Sequence, residues 1–271
     1  MLLNFASPTN INMVRFASII IYFFIFSVTL VAQDNYEIQV YGSQTMEKHF
    51  TMFELHSNFT FDGSKQIQNG VLPTDHIVHE TIEITHGFTD WMEVGFYFFN
   101  AIGDDKRTNY VGSHIRPRVM LPEKYKFPVG LSFSAEVGYQ KRTYSEDDWT
   151  LELRPIIDKK LDKLYMTFNP VFGKAIHGLN SGGGFVFSPN FKVSYDVTKK
   201  IAPGLEYYGS LGVLNNLLPT DQQQHQLFIT LDLDLHPDWE FNVGYGLGFT
   251  AGTDKSILKF IVGYRLHGKK A

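Results

Sequence analysis

The sequence predicts an all-β chain: a single antiparallel transmembrane β-barrel of about twelve strands, with short periplasmic turns and longer external loops. Three observations carry this. Apolar and polar residues alternate with period two along most of the chain after residue 50, and no stretch there has a convincing helical period. The alternating runs are about 10–12 residues long, enough for a tilted strand to cross a bilayer and about twice the ordinary soluble strand. Tight and long connections follow one another in turn, as in outer-membrane barrels. With 44% hydrophobic, 15% aromatic and 19% charged residues among 271, the composition excludes a disordered chain, a coiled coil and a collagen-like fibre.

The first element is an export signal. Arg15 precedes an uncharged, largely apolar run from Phe16 to Ala32, and Gln33, Asp34 and Asn35 follow. Residues 1–32 therefore read as a signal peptide, with Met13 as an alternative start. Residues 33–49 are expected to form a periplasmic N-terminal segment, residues 50–267 the barrel, and residues 268–271 a C-terminal tail. No other window is long and uncharged enough for a membrane-spanning helix.

The strands follow in order. Around 53–61, Phe53, Leu55, Phe59 and Phe61 alternate with Glu54, His56, Asn58 and Thr60. Weaker copies cover 77–88, 91–99 and 109–121. Over 131–142, Leu131, Phe133, Ala135, Val137 and Tyr139 alternate with Ser132, Ser134, Glu136, Gly138, Gln140 and Arg142. Further copies cover 148–157, 163–172, 185–196 and 201–211. Over 226–235, Leu227, Ile229, Leu231, Leu233 and Leu235 oppose Gln226, Thr230, Asp232 and Asp234. Trp239, Phe241, Val243, Tyr245, Leu247 and Phe249 give one apolar face against Asn242, Gly244, Gly246 and Gly248. The last strand is 256–267. Twelve strands leave roughly 20 residues for each strand with its connection, whereas eight leave long unexplained connections and sixteen leave almost none.

Phe88 to Asp90, Leu121 to Phe127, Asp158 to Asp162, Val197 to Lys200 and His236 to Asp238 are the short turns. The linkers 62–76, 100–108, 143–147, 173–184, 212–222 and 251–255 are the external loops. Trp91, Trp149 and Trp239 each open a strand, where an aromatic girdle meets the membrane–water boundary.

Four stretches carry a family resemblance: 52–59 (MFELHSNF), 80–91 (ETIEITHGFTDW), 149–155 (WTLELRP) and 188–197 (SPNFKVSYDV). They resemble a group of uncharacterised Gram-negative outer-membrane β-barrels, loosely similar to outer-membrane transporters of the aromatic-compound (phenol meta-pathway) degradation group. The resemblance implies a barrel in the outer membrane and, by association, transport. It brings no catalytic residues. The last strand, with Phe260, Val262, Tyr264 and Leu266, also resembles the closing strand read by the barrel-assembly machinery.

With the apolar parity facing lipid, the other parity lines a lumen. Its charged and polar residues are Glu54, His56, Glu83, Glu93, Arg116, Arg118, Glu136, Arg142, Glu152, Arg154, Lys192, Glu206, Asp232, Asp234, Glu240, Lys259 and Arg265. Arg116, Glu136 and Arg154 are expected at similar depth on successive strands, as an ion-pair ladder. The function this supports is a channel or transporter for a small solute; a closed structural or surface-interaction barrel is the alternative. Beyond lipid, lipopolysaccharide, the assembly machinery and that solute, no partner is expected, and a net charge of −4 gives no reason for nucleic acid.

Enzymatic and metal chemistry find little footing. There is no cysteine, so thiolate ligands, thiol nucleophiles and disulfides are excluded. His56 and Ser57 are adjacent and point to opposite faces of a strand, which argues against a lipid hydrolase. His76, His79 and Glu80 form only a weak metal pattern, and Asp104-Asp105 and Glu146 to Asp148 read as solvated loop charge. The glycine-rich 180–184 lacks the Lys-Ser/Thr and the helix of a phosphate loop. No cofactor and no resident metal are expected.

Overall fold

The computed structural model describes residues 35–103 and 106–268. The expected signal peptide, the Asp104-Asp105 pair and most of the C-terminal tail lie outside the described residues. Twelve long strands form a closed antiparallel barrel among the described residues: β1 (Phe50–Asp62), β2 (Val78–Thr89), β3 (Met92–Ile102), β4 (Thr108–Met120), β5 (Gly130–Gln140), β6 (Trp149–Leu161), β7 (Leu164–His177), β8 (Val186–Tyr195), β9 (Ile201–Ser210), then β12 (Gln224–His236), β13 (Trp239–Gly248) and β14 (Ser256–His267). Between β9 and β12 a small hairpin, β10 (Gly212–Val213) and β11 (Asn216–Leu217), extends from the loop end of β8. Each wall strand pairs with its chain neighbours, and β1 closes the ring on β14.

The outer wall is apolar because the period-two alternation places one parity outside. Phe53, Phe96, Ile115, Phe133, Leu205, Ile229 and Phe260 all stand exposed on it. Such a continuous apolar exterior on a closed barrel has its favourable environment in lipid. No helix among the described residues is long and apolar enough to cross a membrane. At the short-turn end, the β6–β7 turn is two residues long and puts Asp162 at φ 53°, and Lys126, at φ 49°, closes the 3-10 turn Glu123–Tyr125. The opposite end carries the longest connections, between β1 and β2 and between β9 and β12, but the division is not uniform: the 121–129 connection at the short-turn end is longer than 103–107 opposite. Both barrel termini, Phe50 and His267, lie at the short-turn end and pair with each other.

Three strands run further than their sequence pattern: β3 continues to Ile102, beyond the expected end at 99, and two others go further still. β6 continues to Leu161 and β7 to His177, beyond the expected ends at 157 and 172. Conversely β5 stops at Gln140, where the chain bends: the Gln140 amide donates to Asp148 and the Lys141 amide to Val111. Arg142 therefore sits exposed in the 141–148 loop and not on the inner wall of β5.

Residues 35–47 run inside the barrel. The expected periplasmic segment is, in this described part, a strap threaded from the loop end to the turn end. Its course is fixed by contacts in sequence. Asn35 donates to Asp254 in the β13–β14 loop (2.6 Å), and Asn58 donates to the Asn35 carbonyl (2.8 Å). Thr81 donates to the Tyr36 carbonyl (2.6 Å), Lys259 to Ile38 (3.2 Å), and Asn169 brackets Tyr41, accepting from its amide (2.8 Å) and donating to its carbonyl (3.0 Å). Lower down, Arg118 donates to the carbonyls of Gly42 and Gln44, Ser43 donates to Asp158, and the Met46 amide donates to Glu93. The strap then turns at His49 against Gly87 and enters β1.

Hydrophobic burial accounts for this course. Tyr36, Ile38, Val40 and Tyr41 would be exposed in an aqueous tail, and each buried side chain of this kind is worth about 1.5–3 kcal/mol. Inside, Tyr36 joins Tyr97, Phe99, Ala101 and Val111, while Ile38 and Val40 join Tyr208, Phe228 and Ile257. The protein's hydrophobic core is thus strap against inner wall.

Candidate functional site: the barrel lumen

The strap divides the lumen. Its loop-side half is packed by the two apolar clusters. Its turn-side half opens as a vestibule of about 1000 Å³, lined among others by Glu54, Glu93, Arg118, Lys192, Asp232 and Glu240.

Three charged networks sit at or above the vestibule. In the first, Glu83 Oε1 accepts from Arg116 (2.9 Å), Tyr97 (3.0 Å) and Thr85 (2.7 Å), while Glu93 pairs with Arg118 (2.7 Å) and lies 3.5 Å from Arg116. The second joins Glu206 to Lys259, Lys192 (3.1 Å) and the Tyr208 hydroxyl (2.6 Å); Lys192 also reaches Asp232 (2.8 Å), which accepts from Asn242. In the third, His114 meets Glu136 (2.6 Å) with Phe99 edge-on to the imidazole. Buried charges of this kind are tolerated only when paired and hydrogen-bonded, which the alternation of sign around the wall supplies.

Tyr41 of the strap lies at the centre. The guanidinium carbons of Arg116, Arg154 and Arg118 stand 4.2, 4.8 and 5.5 Å from its ring centroid. Its hydroxyl donates to Glu37 (2.6 Å), and Glu37 in turn lies 3.5 Å from Arg154. Three cations around one aromatic ring in a desolvated site each contribute on the order of 0.5–2 kcal/mol.

The expected ladder of Arg116, Glu136 and Arg154 does not form. In the β4–β5 and β5–β6 registers Arg118 and Arg154 both stand opposite Ser134, while Glu136 stands opposite Glu152. Arg116 instead turns to Glu83 on β2, Glu136 takes His114 on its neighbouring strand, and Arg154 takes Glu152 (2.7 Å) and the strap's Glu37. Of the remaining charges read from the sequence, Asp234 and Glu240 are exposed at the turn-side mouth, and Arg265 donates to the Pro237 carbonyl there. Trp91 and Trp239 are exposed at the turn end and Trp149 at the loop end; Trp239 stacks on Phe241 with planes 6° apart.

Other patterns separate in space. Ser57 donates to Glu80 on the outer side, while His56 faces the lumen. His79 points inward, edge-on to Tyr36, and His76 pairs with Asp75 in the β1–β2 loop. Glu146 and Asp147 accept from Asn180, and Glu146 from Asn69 as well. Among the loop carboxyls, burial pushes Asp254 up, against the hydrogen bonds from Asn35, Thr74 and Ser64. Hydrogen bonding from His267 holds Asp238 below its usual value.

What sequence reasoning missed is the strap and its wall partners Tyr97, Asn169, Tyr208 and Phe228. A signal was present: Tyr36, Ile38 and Val40 alternate in a segment expected to be an aqueous tail, and Tyr97, Phe99 and Phe228 are aromatic on the parity assigned to the lumen.

No protein-family model matches the chain, and no curated protein does. Solved structures match its architecture. The KdgM porin aligns with a TM-score of 0.53 at 11% identity, over 80% of this chain and 99% of that one. The COG4313 outer membrane channel from Pseudomonas putida F1 aligns with a TM-score of 0.53 at 12% identity, over 85% of this chain and 100% of that one. The NanC porin gives 0.53 at 10% identity, over 80% and 100%. At these identities the likeness establishes the fold, a twelve-stranded barrel of the outer-membrane porin type. The neighbours are channels and porins, not enzymes. One of these neighbours is an outer membrane channel, and the apolar outer wall of this barrel suits a lipid environment of that kind.

Proposed function

We propose that the protein is an outer-membrane channel for a small solute, closed at rest by its own N-terminal strap. One observation carries this reading: the strap is held in the lumen by side-chain hydrogen bonds and packing, with only an isolated bridge at Lys48 to Gly87, while the wall's ladder is complete without it. The strap can therefore leave without breaking the barrel. Mixed-sign charges around the vestibule would then select the solute's charge and orientation. The neighbouring porins support the channel role by fold alone. In this reading the outer wall contacts lipid and lipopolysaccharide, and the aromatic closing strand is the segment read by the assembly machinery.

The filled loop-side lumen favours one other reading, a permanently closed structural barrel. Single-channel recording in planar bilayers separates the two. Deleting residues 35–44 is expected to turn rare, brief openings into sustained conductance. A deletion variant that keeps the heat-modifiable gel migration of a folded barrel and yet gives no steps refutes the channel. Liposome swelling with a neutral sugar, an aliphatic amine and benzoate then ranks solutes; benzoate is included because of the resemblance to transporters of aromatic compounds.

A further inference from the structure

On the inner wall, Glu54 of β1 stands directly opposite Glu83 of β2, and on its other side opposite Gly263, which has no side chain. His56, two residues along β1, shares their face. Ligand atoms from the three lie within 4.8 Å of one another, with His56 Nε2 3.4 Å from Glu83 Oε2. Carboxylates facing each other on adjacent strands repel, and among the described residues no lysine or arginine pairs with Glu54. Glu83 Oε1 is held by Arg116, Tyr97 and Thr85, which orients the carboxylate and leaves Oε2 without a hydrogen bond. His56 is fully buried, and neither ring nitrogen makes a hydrogen bond.

Buried polar atoms are ordinarily matched. A proton shared between His56 and Glu83 would match that pair and leave Glu54 facing a carboxylate. A divalent cation matches all three.

We propose that Glu54, His56 and Glu83 form a binding site for a first-row divalent transition-metal cation such as zinc. An imidazole with two carboxylates is a donor set for these ions, whereas calcium and magnesium take oxygen ligands. Glu54 and Glu83 both line the vestibule, which gives the cation its route in and leaves a coordination position facing the cavity. Thr85 and Tyr97 act as the outer partners that fix the Glu83 ligand. The opposing charge of Arg116 is shared with Glu93, 3.5 Å away.

The test is titration of the purified full-length barrel in detergent with zinc against a chromophoric chelator, and with cobalt by visible absorption. One zinc per chain is expected, with the intense visible bands of low-coordinate cobalt and no competition from millimolar calcium or magnesium. Glu54→Gln leaves the Arg116 network intact and should weaken zinc by at least the ~10–100-fold that loss of a supporting partner costs. His56→Ala should abolish the cobalt bands. The same stoichiometry and affinity in Glu54→Gln and His56→Ala, both folded by heat-modifiable migration, would place the ion elsewhere and overturn the proposal. So would the absence of any binding tighter than millimolar. These readouts do not depend on conduction, so a silent channel leaves the metal site standing and the reverse.

Discussion

Asn169→Ala is the sharpest probe of the strap. Asn169 is fully buried on β7 and holds the strap at Tyr41 from both sides, accepting from its amide at 2.8 Å and donating to its carbonyl at 3.0 Å. Alanine leaves the carbonyl with its bond from Thr167 (2.7 Å) but strands the amide. A buried donor without a partner costs about 1–3 kcal/mol. When the strap is displaced, water satisfies the same groups, so nearly the whole cost falls on the closed state. At 1.4 kcal/mol per factor of ten, the ratio of displaced to seated strap rises about 5- to 150-fold. Thr167→Val removes one neutral hydrogen bond to the strap, of about 0.5–1.5 kcal/mol, together with the 3.3 Å bond from Asn169 within β7, and should give a smaller rise of the same kind. Single-channel recording reads this as open probability at constant unit conductance. Thr230→Ala is the control: its buried hydroxyl makes no hydrogen bond to the strap or the wall, so its loss strands nothing. An open probability in Asn169→Ala equal to wild type, in protein with unaltered heat-modifiable migration, refutes the strap as gate.

Three further outcomes follow from the wall and loops. Ile229 is 69% exposed near the middle of β12, so Ile229→Arg should cost about 2–4 kcal/mol in urea unfolding from lipid vesicles, while Asp234→Arg, at the vestibule mouth, should stay within about 0.5 kcal/mol. A Cβ on Gly138 would lie 1.9 Å from the His114 ring and 2.5 Å from the Ser113 carbonyl, so Gly138→Ala should destabilise by about 1–3 kcal/mol and loosen the His114–Glu136 contact, checked by the same unfolding curves. Burial raises the Asp254 carboxyl above its ordinary 3.8; the folded chain then binds that proton more readily than the unfolded one, so this contribution to stability is full below the ordinary value and lost as pH rises through the raised one. The stability difference between wild type and Asp254→Asn should shrink across that window, and a difference that grows with pH contradicts the sign.

The wall was legible because parity is a local property. Trp239–Gly248 alternates cleanly in sequence and forms β13 with that face outward. Strand ends were less legible, since they depend on pairing. Asp158 to Lys160 look like a polar turn, yet β6 runs through them because Asp158 turns inward to accept from Ser43 and Tyr165. Register was not legible at all. The partners of Arg116, Glu136 and Arg154 follow from how the 121–129 and 141–148 connections set neighbouring strands, and no single strand carries that information. The strap was hidden for a related reason: Tyr36 to Tyr41 declare a need for burial but not a direction, and their partners Tyr97, Tyr208 and Phe228 come from three distant strands.

Barrel width explains why the strap is needed. About eight strands enclose a lumen that side chains fill, and about sixteen leave an open aqueous channel. Twelve give an interior too wide for the wall's own side chains to close. Left hydrated, Tyr97, Phe99, Tyr208 and Phe228 would line it at a cost in exposed apolar area; the strap's Tyr36, Ile38 and Val40 recover that area by filling the loop-side half. Seating the strap has an opposite effect on the charges, since Arg116, Arg154 and Glu206 become buried and carry a desolvation penalty that their ion pairs only partly offset. Displacement reverses both terms, exposing apolar surface while rehydrating the ions. Two large terms that change together in opposite directions leave a small difference, and the proposed gate rests on that balance: a stranded hydrogen bond at Tyr41 is then expected to shift it.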